Sequence, residues 1–195
     1  MTDVVLETGR LRLRRFNSGD AASIFQLHND PLVMRYINGG IPASREEIDA
    51  ETLPLFMRDR ADLLPGFWAA EDRESRRFLG WLSLRPEAAN PLYLSLGYRF
   101  HQSVWGRGYA TEGARALLAL GFGDYGVQRV QATTYQDNLA SRRVLEKLGM
   151  RCVRRFRYTQ EELRNQDTAT GSTELWDGVD LEYVLNRADA SFDDR

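Results

Sequence analysis

Of the 26 basic residues in this chain only Lys147 is a lysine; the rest are arginine, a bias read as the mark of a GC-rich coding sequence. Basic residues do not exceed the 28 acidic ones, and the net charge is −2, so the excess of a general nucleic-acid binder is missing. A single cysteine, Cys152, excludes an intramolecular disulfide and a cysteine metal cluster. Two histidines, His28 and His101, leave little for a zinc site. The longest apolar run, Ala116 to Phe122 with Gly121 inside it, is too short to cross a bilayer. The first twenty residues carry no signal-peptide pattern. These absences predict a cytoplasmic protein without metal, membrane or nucleic-acid partners.

What is present is enough apolar sequence, 43% over 195 residues, for one domain with a real core. Alternation predicts strands at 10–16, 67–71, 77–85, 92–100, 129–135, 151–158 and 179–186, with the polar run 72–75 closing a hairpin. Gly97 inside the fourth of these marks a bulge or a close backbone approach. Ser18 is the expected cap of a helix through Ala21, Ile24, Phe25 and His28, stopped by Pro31. Ser44-Arg45-Glu46-Glu47 reads as a capping box opening a helix toward Arg60. Two more helices run from Ala110 to about Gly123 and from Ala140 to Leu148, where Gly149 stops the second. Residues 160–178 form a long polar loop, and 188–195 are expected to fray. Seven strands and about four helices make a single α/β domain over 1–187.

The stretch Ser103-Val104-Trp105-Gly106-Arg107-Gly108-Tyr109-Ala110-Thr111-Glu112 lies between a strand and a helix. Two glycines allow a tight turn and close approach of a ligand, and the helix start offers free N–H groups. Arg107 adds a charge-assisted donor. The combination suits a pyrophosphate, although a plain strand-to-helix turn has the same letters. A Walker loop is excluded because it needs Gly-Lys-Ser/Thr, and a dinucleotide fingerprint lacks its third glycine at Thr111.

Four stretches together resemble the GNAT acyl-CoA N-acyltransferases, most closely the ribosomal-protein-alanine N-acetyltransferase branch. They are Glu7-Thr8-Gly9-Arg10-Leu11-Arg12-Leu13-Arg14, Asn29-Asp30-Pro31-Leu32-Val33-Met34-Arg35-Tyr36, Leu96-Gly97-Tyr98 leading to Trp105–Glu112, and Asn138-Leu139-Ala140-Ser141 running on to Gly149-Met150. The resemblance implies a mostly antiparallel seven-stranded sheet splayed between its fourth and fifth strands, with acetyl-CoA in the split. It implies pantetheine beside Tyr98 and Phe100, and the pyrophosphate on the loop of Ser103, Trp105, Gly106, Arg107, Gly108, Tyr109, Ala110 and Thr111. Asn138 would hold the pantetheine arm, and Ser141 would protonate the leaving thiolate. The implied reaction is direct attack of a primary amine, a protein N-terminus or a small molecule, on the thioester. A longer acyl group, or a non-catalytic acyl-CoA sensor, are the alternatives.

The chain departs from the family pattern at three places. Ser103 stands where many relatives have Gln or Arg, Leu145 where many have a catalytic tyrosine, and Val153 where some have a glutamate base. Glu71 or Asp72 could serve as base from the hairpin. Deprotonating a lysine-type amine of pKa ~10.4 at pH 7 costs roughly 4.6 kcal/mol, against about 1 kcal/mol for an α-amine. The missing base therefore favours an acceptor of low pKa. Trp81, Tyr36 and Met34 either line the acceptor cleft or fill core; Cys152 reads as a small apolar strand residue and Arg154, Arg155 and Arg157 as a solvated strand face.

Overall fold

A computed structural model of the chain describes residues 4–58, 66–87, 90–159 and 178–191. Its strands are β1 Val4–Glu7, β2 Leu11–Arg14, β3 Gly66–Asp72, β4 Phe78–Glu87, β5 Asn90–Phe100, β6 Arg129–Tyr135, β7 Arg151–Phe156 and β8 Asp180–Asn186. They form one sheet in the order β1-β2-β3-β4-β5-β6-β8-β7, antiparallel everywhere except between β5 and β6. The described sheet has eight strands where the sequence predicts seven. The addition is β1, whose apolar residues Val4-Val5-Leu6 run together and show no alternation.

The helices are α1 Ala21–His28, α2 Pro31–Asn38, α3 Arg45–Glu47, α4 Leu53–Phe56, α5 Tyr109–Gly123 and α6 Leu139–Lys147. Asn17, not Ser18, caps the entry to α1: its side chain accepts from Gly19 N–H at 2.9 Å, while Asp20 Oδ2 accepts from Asn17 N–H at 2.8 Å. Pro31 ends α1 as expected, but it also starts α2, because its missing N–H costs nothing in a first turn and Asp30 caps Leu32 at 2.9 Å. Ser44 Oγ does cap Glu47 N–H at 3.0 Å. The helix that it opens passes through a π turn at Ile48–Thr52 and stops at Phe56, short of Arg60, with Pro54 in its last segment. The polar loop 160–177 lies outside the described residues. After β8 a short turn, Arg187–Asp189, precedes Ala190, which packs against the core. Among the described residues no helix is long and apolar enough to cross a membrane.

Two cores lie on the two faces of the sheet. The α5/α6 face buries Leu11, Leu13, Leu82, Leu94, Leu96, Phe100, Leu117, Leu118 and Leu145. The α1–α4 face buries Phe16, Ile24, Leu27, Ile48, Phe56, Phe67 and Trp81. Because successive strand residues point to opposite faces, β5 serves both: Leu96, Tyr98 and Phe100 face one core, and Gly97 and Arg99 face the other. Gly97 is a close approach and not a bulge: it stays in register with Ser83, and a Cβ there would lie 2.8 Å from Ser83 Oγ.

β5 and β6 pair only at Tyr93↔Arg129, Leu94↔Val130 and Ser95↔Gln131. Beyond Ser95 the two strands part, each still paired on its outer side, β5 to β4 and β6 to β8. The sheet therefore opens into a split between β5 and β6, the fourth and fifth strands of the sequence reading, and leaves the backbone edge of Leu96–Phe100 without a ladder partner.

Candidate active site

The loop between β5 and α5 ends in a run of backbone N–H donors at the start of α5. Gly106 and Gly108 adopt φ of +72° and +84°, the left-handed region that favours glycine, and a Cβ on Gly106 would meet nothing within 4 Å. Gly108 caps α5 without a side chain, and among the described residues no protein group accepts the N–H of Gly106 through Thr111. Six consecutive amides are thus left without a protein acceptor at the positive end of a fifteen-residue helix.

This loop is held from behind by the start of the chain. Glu112 accepts from Thr8 Oγ1 at 2.6 Å, from Arg10 N–H at 2.9 Å and from Arg10 Nε at 2.7 Å. Arg10 Nη1 also donates to Arg107 carbonyl at 2.8 Å. These bonds hold the Glu112 carboxylate below its ordinary range despite its partial burial. The Thr8-Gly9-Arg10 segment, which the sequence marks only as a family motif, is a brace that fixes the first turn of α5. Trp105 is exposed, but its Nε1 donates to Phe100 carbonyl at 2.8 Å and so pins the loop to the end of β5. Tyr109 is buried beneath the guanidinium groups of Arg10 and Arg107. Arg107 and Ser103 are exposed, and Ala110 and Thr111 are half-buried in the first turn of α5.

Across the split stands α6. Asn138 caps it, its Oδ1 accepting from Ser141 N–H at 3.1 Å. Ser141 Oγ lies 2.9 Å from the Tyr98 hydroxyl, which also reaches Ser141 carbonyl at 3.3 Å. Burial pushes the Tyr98 hydroxyl above the ordinary tyrosine range, so it stays protonated and can donate. The Tyr98 side chain therefore bridges the two banks where the strands part. Adjacency in sequence offers no signal of this, since Tyr98 and Ser141 are 43 residues apart.

The two carboxylates considered as bases are committed elsewhere. Glu71 accepts from Arg14 Nε at 2.6 Å inside the sheet. Asp72 caps the hairpin turn, accepting from Ser75 N–H and Oγ at 2.9 Å each, bonds that hold its carboxyl below the usual range. His28 is buried, accepts from Trp81 Nε1 at 3.2 Å, and is pushed down to about 2 by burial and by Arg99. It is a neutral acceptor and no proton carrier at neutral pH. Trp81 and Met34 fill core, whereas Tyr36 is half-buried and stacks on Tyr135 of β6 at 5.9 Å between ring centres. Cys152 is exposed on the edge strand β7 instead of packed, and Arg154 and Arg155 lie on the solvated strand as expected. Leu145 is buried in the core, so no side chain from that position reaches the split.

Known proteins bear on this arrangement. The family model for the acetyltransferase (GNAT) domain matches residues 10–151. Over 147 residues, covering 74% of this chain and 84% of the relative, the chain is 37% identical to an uncharacterized protein, YkkB, of Bacillus subtilis. It is 30% identical over 158 residues, 77% of this chain and 66% of the relative, to the FsC-acetyl coenzyme A-N(2)-transacetylase of Aspergillus fumigatus. A crystal structure of a GNAT-family acetyltransferase from Bacillus anthracis superimposes with a TM-score of 0.73 at 22% identity, covering 94% of this chain and 98% of the other. A parted parallel pair beside an open, amide-lined helix start, in a chain matched by that model over most of its length, leads to one assignment: the protein belongs to the GNAT family and is an acyl-CoA-dependent acetyltransferase.

Proposed function

We propose that this chain transfers an acetyl group from acetyl-CoA to a primary amine by direct attack in a ternary complex, with Ser141 as the proton donor to the leaving thiolate. The observation that carries the reading is the Ser141–Tyr98 contact of 2.9 Å at the point where β5 and β6 separate. Pantetheine lies along the open edge of Leu96–Phe100 and pairs with its backbone. The pyrophosphate takes the amides of Gly106 to Thr111, and Arg107 adds a charged donor beside them. Asn138 is spent partly on capping, through its carbonyl oxygen; its amide nitrogen remains to bond the pantetheine arm.

The amine nitrogen, as free base, forms a bond to the carbonyl carbon, and its surplus proton leaves to water. The carbon–sulfur bond breaks, and the Ser141 hydroxyl gives its proton to the sulfur. Tyr98, kept protonated by burial, returns a proton to Ser141 and is itself refilled from solvent. Most of the rate comes from holding amine and thioester together in one geometry. The acceptor is taken from the α1–α4 side of the sheet, opposite the face on which Tyr98 meets Ser141.

Ser141→Ala tests the assignment. General-acid help is typically 10²–10⁴-fold, and a thiolate of pKa ~8.5 leaves readily, so kcat should fall about 10²-fold with acetyl-CoA affinity unchanged. A kcat within twofold of the parent would leave water as the donor and overturn the role of Ser141.

A further inference from the structure

We propose that the acceptor amine carries a carboxylate, which the buried guanidinium of Arg99 receives from the α1–α4 side of the sheet. The proposal rests on the acetyltransferase reading above and narrows its acceptor. Arg99 is 5% exposed; its Nε and Nη1 are sealed from solvent without a hydrogen-bond partner, and among the described residues no protein group bonds Nη2. A buried cation left unpaired is strongly unfavourable, and a fold keeps one where a ligand supplies the missing charge. The described groups around it do not supply that charge. Trp81 offers a ring face 5.2 Å from the guanidinium carbon, and His28 behind it is neutral. Glu47 is exposed and acts on Arg99 only through space, without an ion pair.

The placement suits an acceptor. Arg99 follows Tyr98 on the part of β5 that has separated from β6, so the two side chains leave on opposite faces of the sheet. Tyr98 points toward Ser141 and the thioester side; Arg99 points toward the acceptor side. An amine reaching into the split between them can leave its anionic end on Arg99. The planar guanidinium fork matches a carboxylate through two parallel bonds. One cation neutralises a monoanion and falls short for a phosphate dianion, and the side chains packed around Trp81, Phe56 and Phe67, are aromatic core. The ligand is thus a carboxylate: a free amino acid, or a peptide whose first residue bears a carboxylate.

The test uses the full chain, acetyl-CoA and matched acceptors: L-amino acids, their α-carboxamides, and short C-terminally amidated peptides beginning with Asp or Asn. Thiol release is followed. For at least one set the acid should exceed its amide in kcat/KM by about 10²-fold. Arg99→Met should erase that preference, mainly through acceptor KM, and raise the melting temperature; Arg99→Lys should restore part of the preference. Preference in the free amino acids or in the Asp peptides identifies the source of the carboxylate. Amides used as well as acids by the parent, or a preference that survives Arg99→Met, overturns the proposal while leaving the acetyltransferase reading intact. If no amine is turned over, the acetyltransferase reading fails, and calorimetry of the same free amino acids on the coenzyme-saturated protein decides Arg99. Binding lost in Arg99→Met or Arg99→Gln supports the site, and no binding to the parent overturns it.

Discussion

Arg14 and Arg99 are buried to the same degree, at 6% and 5% exposure, and could hardly be treated more differently by the fold. Arg14 donates to both oxygens of Asp20 at 2.8 and 2.7 Å, to Glu71 at 2.6 Å and to the Arg15 carbonyl at 3.0 Å. These partners outweigh the cost of burial and raise its pKa above the arginine norm. The result ties β2, β3 and the turn before α1 into one unit. Among the described residues Arg99 has no such partner, and burial lowers its pKa to about 9. A paired buried arginine is part of the framework. An unpaired one beside an open split reports a charge that has yet to arrive.

The largest effect expected from this contrast is on Arg14. Arg14→Met strands two buried carboxylates, so urea unfolding should show a loss of roughly 3–5 kcal/mol. This is opposite in sign to the melting-temperature rise expected for Arg99→Met. A loss below about 1 kcal/mol would erase the distinction between the two sites.

An intermediate effect is expected in acid, from His28 in the Arg99 region. Its unfolded pKa is near 6.5 and its folded value is about 2, so below 6.5 the unfolded chain takes up a proton that the folded chain refuses. The contribution is complete above pH 6.5 and declines as the pH falls toward 2. By pH 4.5 the loss amounts to roughly 2–3 kcal/mol. Unfolding curves measured from pH 7 to 4.5 should flatten by about that amount in His28→Gln. An unchanged slope would mean that the imidazole is not held neutral by its surroundings.

The smallest effect belongs to Glu47→Gln. Because Glu47 is exposed and makes no ion pair with Arg99, its removal should change stability by no more than about 0.5 kcal/mol. A loss of 2 kcal/mol or more in thermal melts would make Glu47 the concealed partner of Arg99, and the two arginines would cease to differ in kind.

The fold was legible where local pattern and tertiary demand agree. Helix α5, with its apolar stripe and glycine turn, and the alternating strands from β2 to β8 lie within a few residues of where periodicity puts them. The misses are short or locally ambiguous. β1 has four residues without alternation, α2 starts at a proline that also ends α1, and the cap before α1 shifts by one residue because Asn17 and Asp20 bond reciprocally. The glycine loop and the Asn138–Ser141 helix start were likewise readable, since both depend on spacing within one segment. The brace of Thr8 and Arg10 on Glu112 was not, because it joins segments about a hundred residues apart.

By itself the sequence determined the order of the elements, the amide-rich turn at Gly106–Gly108 and the placement of Asn138 and Ser141 one helical turn apart, because each follows from backbone chemistry over a few neighbouring residues. Only the tertiary structure decided which side chains meet. Arg12, Arg14 and Arg99 all alternate with apolar residues in strands, and nothing local tells a paired cation from an unpaired one. The charge balance of a buried group is set by what lies within a few ångströms in space. Asp20 and Glu71 come to Arg14 from two other elements, while among the described residues the facing elements bring Trp81 and a neutral His28 to Arg99.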